Sequence, residues 1–194
     1  MKIAFCLFKY SPYSGLSLDF LRILEECQKR GHDTHVFVSE WRGERPEGVQ
    51  FTVLEPPKIS LKFSNHAQNE QFHNKLQVEL KKQAFDAVVG FNKMPGLDLY
   101  YGADSCYVGD KVPQYPAIYK VFSRRYKGRY SFEEAVFGVE SRTLILSLSE
   151  GQKNDYQEHY FTPDDRFHLL PPTLDASFSP ITDRVHQREK LRVE

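Results

Sequence analysis

Ile3-Ala4-Phe5-Cys6-Leu7-Phe8 is a continuous apolar run, followed by the turn-forming stretch Lys9-Tyr10-Ser11-Pro12-Tyr13-Ser14-Gly15. A run of this kind, apolar without alternation, is the pattern of a strand covered on both faces. Beyond the turn, Leu16, Phe20, Ile23, Leu24 and Cys27 recur at three- and four-residue steps, which predicts an amphipathic helix. Ser17 is a suitable N-cap. Asp19 suits the first turn, where a carboxylate meets the positive end of the helix dipole, and Arg30-Gly31 is a stop signal. His35-Val36-Phe37-Val38 then supplies a second strand and closes a β-α-β unit, whose strands run parallel with a right-handed crossover.

The same alternation continues outward. Phe51 to Leu54 reads as a third strand, closed by Pro56-Pro57, and Leu76, Leu80 and Phe85 suggest a helix from about Asn69 to Gln83. Ala87-Val88-Val89-Gly90-Phe91 is the clearest buried strand in the chain. Leu99-Tyr100-Tyr101-Gly102-Ala103 reads as another, ending at Asp104. Thr143 to Leu148 and Phe167 to Leu170 form the last two, separated by a helix around Gln152 to Tyr160. Strands and helices alternating at this spacing predict an α/β fold, a Rossmann-like open parallel sheet with helices on both faces. From Asp175 the chain turns polar and charged, so residues 1–174 read as the domain and 175–194 as a linker and the start of something further.

Composition narrows the function. The 194 residues carry 26 basic and 26 acidic side chains, a formal net charge of zero. That excludes a uniformly basic nucleic-acid binder and leaves room for a local basic patch. No run approaches the roughly 18 apolar residues of a membrane span, and the apolar core of the first residues is too short for a signal peptide. A chain this long buries enough surface to fold without a disulfide or metal staple. Cys6, Cys27 and Cys106 are odd in number and lack paired spacing, as expected of reduced cysteines in a cytosolic protein. The seven histidines lack ligand spacing, so no metal site is expected. Neither the Gly-x-Gly-x-x-Gly dinucleotide fingerprint, nor the Gly-Lys-Ser/Thr of phosphate loops, nor a Gly-x-Ser-x-Gly elbow is present.

Ligands of open α/β sheets bind at the carboxyl ends of strands, and four loops fit that position. Ser14-Gly15 leads into the first helix, whose free N–H groups would attract phosphate; as a bare motif it reads first as a plain turn glycine before a helix. Asn92-Lys93-Met94-Pro95-Gly96-Leu97-Asp98 places an amide, a cation and a carboxylate after the clearest strand, which makes a polar binding site or a Pro-Gly turn. Asp104 could stabilise developing positive charge, as carboxylates do beside an oxocarbenium-like centre, or simply cap a loop. Ser149-Glu150-Gly151 reads as a helix cap.

Residues 111 to 132 are the compositional outlier. They hold Lys111, Lys120, Arg124, Arg125, Lys127 and Arg129 and no acid. Tyr115, Tyr119, Phe122, Tyr126 and Tyr130 step by four, three, four and four residues, which on one helix starting near Ala117 would gather the rings on a single face. Three readings fit: a core-facing stripe with a solvated basic side, an interfacial helix on an anionic membrane, or a base-stacking surface. Tyrosine in place of leucine makes a poor core and a good interface, so membrane contact is expected of Lys111, Tyr119, Lys120, Phe122, Arg124, Arg125, Tyr126, Lys127 and Arg129. Nucleic acid is not expected.

Ala4-Phe5-Cys6-Leu7-Phe8-Lys9-Tyr10, Gly15-Leu16, Asp19-Phe20 and above all Val88-Val89-Gly90-Phe91-Asn92-Lys93-Met94-Pro95-Gly96-Leu97-Asp98 resemble the bacterial lipopolysaccharide core glucosyltransferases, retaining GT-B enzymes of family four. Ala103-Asp104-Ser105-Cys106-Tyr107 and Leu169-Leu170-Pro171-Pro172 match as well, so the resemblance runs along essentially the whole chain. It implies two Rossmann-like domains facing across a cleft, of which this chain is the amino-terminal, acceptor-binding one. The implied reaction moves glucose from UDP-glucose to an inner-core heptose with retention and without a divalent metal or other cofactor. It would take place on the cytoplasmic face of the inner membrane. By position, Gly15 would offer a backbone N–H to the donor diphosphate with Asp19 beside it. Asp104 would stand at the transferring sugar, and Asn92, Lys93 and Asp98 would line the acceptor side.

The sequence departs from that pattern in two places. Ser14 replaces the first of two glycines usual in the first loop, and the second domain is absent after about Asp183. The chain alone would then transfer little, since catalysis needs both substrates held together. Two alternatives remain open: another sugar donor or bacterial glycan acceptor, and a non-catalytic membrane- or glycan-binding module.

Overall fold

A computed structural model describes residues 1–55 and 65–171. The expected linker from Asp175 onward, and the Pro56-Pro57 strand stop, lie outside the described residues. Seven strands alternate with helices: β1 (Lys2–Tyr10), α1 (Gly15–Lys29), β2 (Asp33–Trp41), β3 (Gln50–Val53), α2 (Asn65–Leu80), β4 (Ala87–Gly90), β5 (Leu99–Gly102), α3 (Tyr107–Asp110), α4 (Ala117–Phe122), α5 (Arg124–Phe137), β6 (Leu144–Ser147), α6 (Glu150–Tyr160) and β7 (Phe167–Leu169). The strands form one sheet in the order β3-β2-β1-β4-β5-β6-β7, and every neighbouring pair is parallel. The expected Rossmann-like sheet is therefore present, and its switch point lies between β1 and β4, where ligands of such sheets bind.

The pleat sends alternate residues of β1 into two cores. Ala4 and Cys6 join Phe72, Leu76, Met94, Tyr100, Phe137 and Ile145 beneath α2, α5 and α6. Ile3, Phe5 and Leu7 join Phe20, Leu24, Val36, Val38 and Phe91 beneath α1. The apolar stripe of α1 thus covers the β2-β1-β4 region. Further along the same face Leu146 of β6 packs against this core, while Leu144 at the start of that strand is 42% exposed.

Several local readings are corrected. The first helix begins at Gly15 with Ser14 at the N-cap position, and Ser17 is already inside it. The Ser17 hydroxyl instead accepts from the Ser11 N–H at 3.1 Å, pinning the turn to the helix. Asp19 accordingly lies beyond the first turn. α2 starts four residues earlier than its apolar residues suggest: its first turns are polar, and His66 pairs with Glu70 one turn on, at 3.1 Å. The single basic helix is in fact two. Ser123 is extended between α4 and α5, and its hydroxyl accepts from the Tyr126 N–H at 3.2 Å, capping α5. A serine that bonds its own backbone competes with helix continuation.

The link from β4 to β5 contains no helix. Gly90 gives it room: a Cβ there would collide with the side chain of Leu97, which packs directly on the strand. Met94 is wholly buried under the link.

Candidate functional site

Three strand ends build the site. At the end of β1, the Phe8 N–H donates to Asn92 Oδ1 at 2.8 Å, which ties the chain leaving β4 to its neighbour across the switch point. Lys93 follows, and its Nζ reaches over to donate to the Ser105 carbonyl (2.6 Å) and to Glu133 Oε1 (2.9 Å). Asp104 and Ser105 begin the loop after β5. These residues and α5 enclose a cavity of about 330 Å³, also walled by His66 and Phe132.

The loop carrying Asp104 is fixed by side chains from outside it. Gln152 Nε2, on α6, donates to the carbonyls of Gly102 (2.6 Å) and Asp104 (2.9 Å), and the Tyr156 hydroxyl donates to the same Asp104 carbonyl at 2.9 Å. Glu133, fully buried, accepts the Tyr107 N–H with both oxygens and the Tyr160 hydroxyl at 3.1 Å. Burial is the largest cause that pushes the phenols of Tyr100, Tyr156 and Tyr160 well above the usual tyrosine range, so they stay protonated as donors. The Asp104 carboxylate, by contrast, is exposed to the cavity, with a single long contact of 3.5 Å from the Tyr100 hydroxyl. The arrangement is a rigid loop presenting one free carboxylate into a polar cleft. That is what electrostatic stabilisation of a positively charged centre requires.

Against proteins of known kind, no family model matches the chain. Its sequence is 40% identical over 174 residues to the lipopolysaccharide glucosyltransferase WaaG of Escherichia coli strain K12. The chain resembles WaaG. The alignment takes in 90% of this chain and 45% of that protein, so the chain spans about half the length of the curated relative it matches. A crystal structure of WaaG, described as a glycosyltransferase involved in lipopolysaccharide biosynthesis, superposes with a TM-score of 0.85 at 36% identity, over 99% of this chain and 52% of that one. A glycosyltransferase from Rickettsia africae ESF-5 shares the fold alone, with a TM-score of 0.53 at 14% identity.

The residues singled out by the WaaG-like sequence divide in space. Asn92, Lys93 and Asp104 line one cavity. Gly15 opens α1 just past β1, on the same rim of the sheet but outside that cavity. Ser14 makes no side-chain cap bond, which leaves the first-turn amides of α1 without a side-chain acceptor. Asp19 points elsewhere, accepting the Tyr101 hydroxyl at 2.8 Å beside a second cavity of about 460 Å³ under α1. Asp98 is on the opposite rim: it precedes β5, and its carboxylate accepts the Val88 N–H at 2.8 Å, at the amino end of β4. The link runs back across the sheet, so only its first residues reach the site.

The basic aromatic segment also divides. Tyr115, Tyr119, Tyr126 and Tyr130 form a ladder of rings at 4.5, 6.5 and 5.9 Å that runs across the break to Tyr160 in the core. Phe122 leaves that face and is 77% exposed, beside exposed Ile118 and Val121. Arg124, Arg125 and Lys127 are exposed along the start of α5, and Lys120 is half-buried. Lys111 and Arg129 line the cavity with Asp104. Glu133, Gln152 and Tyr156 are unmarked in the sequence, since each sits in a polar helical stretch indistinguishable from a solvated surface. The helix-cap reading of Ser149 holds, its hydroxyl accepting the Gln152 N–H at 3.2 Å.

Proposed function

We propose that this chain is the acceptor-binding half of a glycosyltransferase of lipopolysaccharide core assembly, which transfers glucose from UDP-glucose to an inner-core heptose with retention. The observation that carries this reading is the 40% identity to WaaG along 90% of the chain. The open cavity at the switch point, with Asp104 held into it, agrees with that reading. In it, Asp104 stabilises positive charge at the transferring sugar, Asn92 contributes to acceptor contact, and Lys93 holds the loop. The uncapped amides of α1 at Gly15 face the donor diphosphate. The nucleotide-sugar is held mainly by a second domain, so both halves are needed for turnover.

The test is transfer of labelled glucose from UDP-glucose to heptose-terminated lipopolysaccharide, by the 194 residues alone and fused to the remaining half of the Escherichia coli relative. Transfer by the fusion is expected, with little by the chain alone. Asp104→Asn in the fusion should lower kcat by about 100-fold, the usual effect of removing one electrostatic stabiliser. A fusion that transfers nothing, or one indifferent to Asp104→Asn, overturns the reading.

The same protein is proposed to work peripherally on the cytoplasmic face of the inner membrane. The supporting observation is the exposed patch of Ile118, Val121 and Phe122 on α4, adjoining Arg124 and Arg125. Each basic residue near an anionic surface adds about 1 kcal/mol of attraction. Among the described residues no helix is long and apolar enough to cross a membrane. Sedimentation with phosphatidylglycerol vesicles should exceed that with phosphatidylcholine, and equal binding to both removes this assignment.

A further inference from the structure

The charges around the cavity do not cancel. Lys93 is neutralised by Glu133 at 2.9 Å, an ion pair whose carboxylate is fully buried. Asp104 contributes one negative charge. Lys111 and Arg129 contribute two positive ones, and among the described residues neither has a carboxylate within ion-pair distance. Arg129 lies over the Tyr107 ring, with its Cζ 5.4 Å from the ring centroid, an arrangement that orients a guanidinium, and among the described residues no hydrogen bond takes up its donors. Lys111 caps the end of α3, the helix whose first amide is anchored by Glu133, and Arg129 lies one turn before Glu133 on α5.

The opposite wall is built to stay in place. Gly128, one residue before Arg129, lies under His66: a Cβ at Gly128 would collide with the His66 imidazole. α2 and α5 therefore approach closely there and place Asn69 and Phe132 on the lining. The cavity thus offers amides for hydroxyl groups, an aromatic wall for a sugar ring, a carboxylate at one place and two unneutralised cations at another. A neutral sugar would leave those cations unused, whereas an anionic group on the sugar would engage both.

We infer that Lys111 and Arg129 form an oxyanion subsite, so that the sugar occupying this cavity carries a phosphate group. The inference rests on the proposed glycosyltransferase reading only in calling that sugar the acceptor; the anion site itself is a property of this chain. It also separates Lys111 and Arg129 from the residues that would touch lipid. An anion held by two cations in a half-enclosed cleft is recognised by charge-assisted hydrogen bonds, with a salt dependence that reports the number of charges engaged.

The experiment titrates the 194-residue chain with mannose 6-phosphate, mannose and inorganic phosphate, and separately with phosphatidylglycerol vesicles. Mannose 6-phosphate should bind at least about tenfold more tightly than either mannose or inorganic phosphate. Arg129→Gln and Lys111→Gln should each weaken it about fivefold or more and lower its salt dependence. Arg129→Lys should restore part of the affinity, which a merely structural role would not predict. The surface variant Arg124→Gln/Arg125→Gln should lose vesicle binding and keep the sugar phosphate. Equal affinity for mannose and mannose 6-phosphate overturns the inference, as does inorganic phosphate binding as tightly as the sugar phosphate. So does a result in which Arg129→Gln and Lys111→Gln weaken only the vesicles, which would assign the two cations to lipid headgroups. These outcomes are independent of glucose transfer by the fusion protein, so failure here leaves the glycosyltransferase reading standing, and the reverse also holds.

Discussion

Lys93 and Glu133, forty residues apart in sequence, form the polar centre of the site: Nζ lies 2.9 Å from Oε1, with the lysine side chain 12% exposed and the glutamate 0%. The lysine comes from the link after β4 and the glutamate from α5, so one contact ties the sheet to the helix layer. The ammonium also lies 5.2 Å from the centroid of Tyr156 and 5.8 Å from that of Phe137, which replaces part of its lost hydration. Breaking a buried pair from one side strands a charge, whereas replacing both partners by apolar groups does not. Glu133→Gln is therefore expected to lower stability by about 2–4 kcal/mol, and Lys93→Met/Glu133→Gln by less, because that double variant strands no charge and the glutamine keeps an acceptor for the Tyr107 N–H and the Tyr160 hydroxyl. Urea unfolding of the three proteins checks the order. A double variant no better than the single one refutes it.

Gly128 and His66 make a second pair. Alanine is the better helix former by about 1 kcal/mol, so at a free surface Gly128→Ala would stabilise α5. Here the added methyl collides with the His66 imidazole, and the substitution is expected to cost about 1–3 kcal/mol instead. In a His66→Ala background the sign should reverse. A double-mutant cycle by thermal melting tests this coupling.

His35 gives the protein an acid-side weakness. Its Nε2 lies 2.8 Å from Thr52 Oγ1 and its Nδ1 3.1 Å from Gln83 Nε2, so the neutral ring is satisfied at both nitrogens. Burial is the largest cause that lowers its pKa below the usual 6.5, followed by nearby Lys2. His73 is lowered in the same way by burial, and among the described residues its Nδ1 has no hydrogen-bond partner. With the folded pKa depressed, the unfolded chain takes up protons first. Stability is then full above about pH 6.5 and falls as the pH drops through that value toward the folded pKa. Urea unfolding at pH 7.5 and pH 5 should show the decline, and His35→Gln should make it shallower. An unchanged slope would show that His35 does not cause it.

Phe161 closes α6 in the left-handed region, at φ 54°, with its ring 79% exposed. A side chain there strains the backbone while burying little. Phe161→Gly is expected to raise stability by about 0.5–1 kcal/mol, read as an increase in melting temperature. A fall would mean that the exposed ring makes contacts that outweigh the strain.

The fold was legible because its signals are local. Unbroken apolar runs such as Ile3–Phe8 and Ala87–Phe91, separated by helical periodicity, admit few arrangements other than a parallel α/β sheet. The place of Asn92 and Asp104 in the cavity lining was legible for a related reason: each follows a strand at its carboxyl end, where such sheets bind ligands. Asp98 misled because a loop was treated as staying on the rim where it starts. A strand that starts at Leu99 parallel to β4 already puts Asp98 on the opposite rim, and the bond from the Val88 N–H to its carboxylate fixes it there.

The sequence by itself determined the order of the elements, the parallel sheet, the absence of familiar nucleotide fingerprints and the basic, tyrosine-rich tract. Those properties depend on near neighbours, whose spacing the chain writes directly. Only the tertiary structure decided that Glu133 is buried under Lys93, that the tract breaks at Ser123 into an inward tyrosine ladder and an outward apolar patch, and that Lys111 and Arg129 turn into the cavity. These depend on which distant segments meet, and a charged side chain looks the same in sequence whether water or another charge satisfies it.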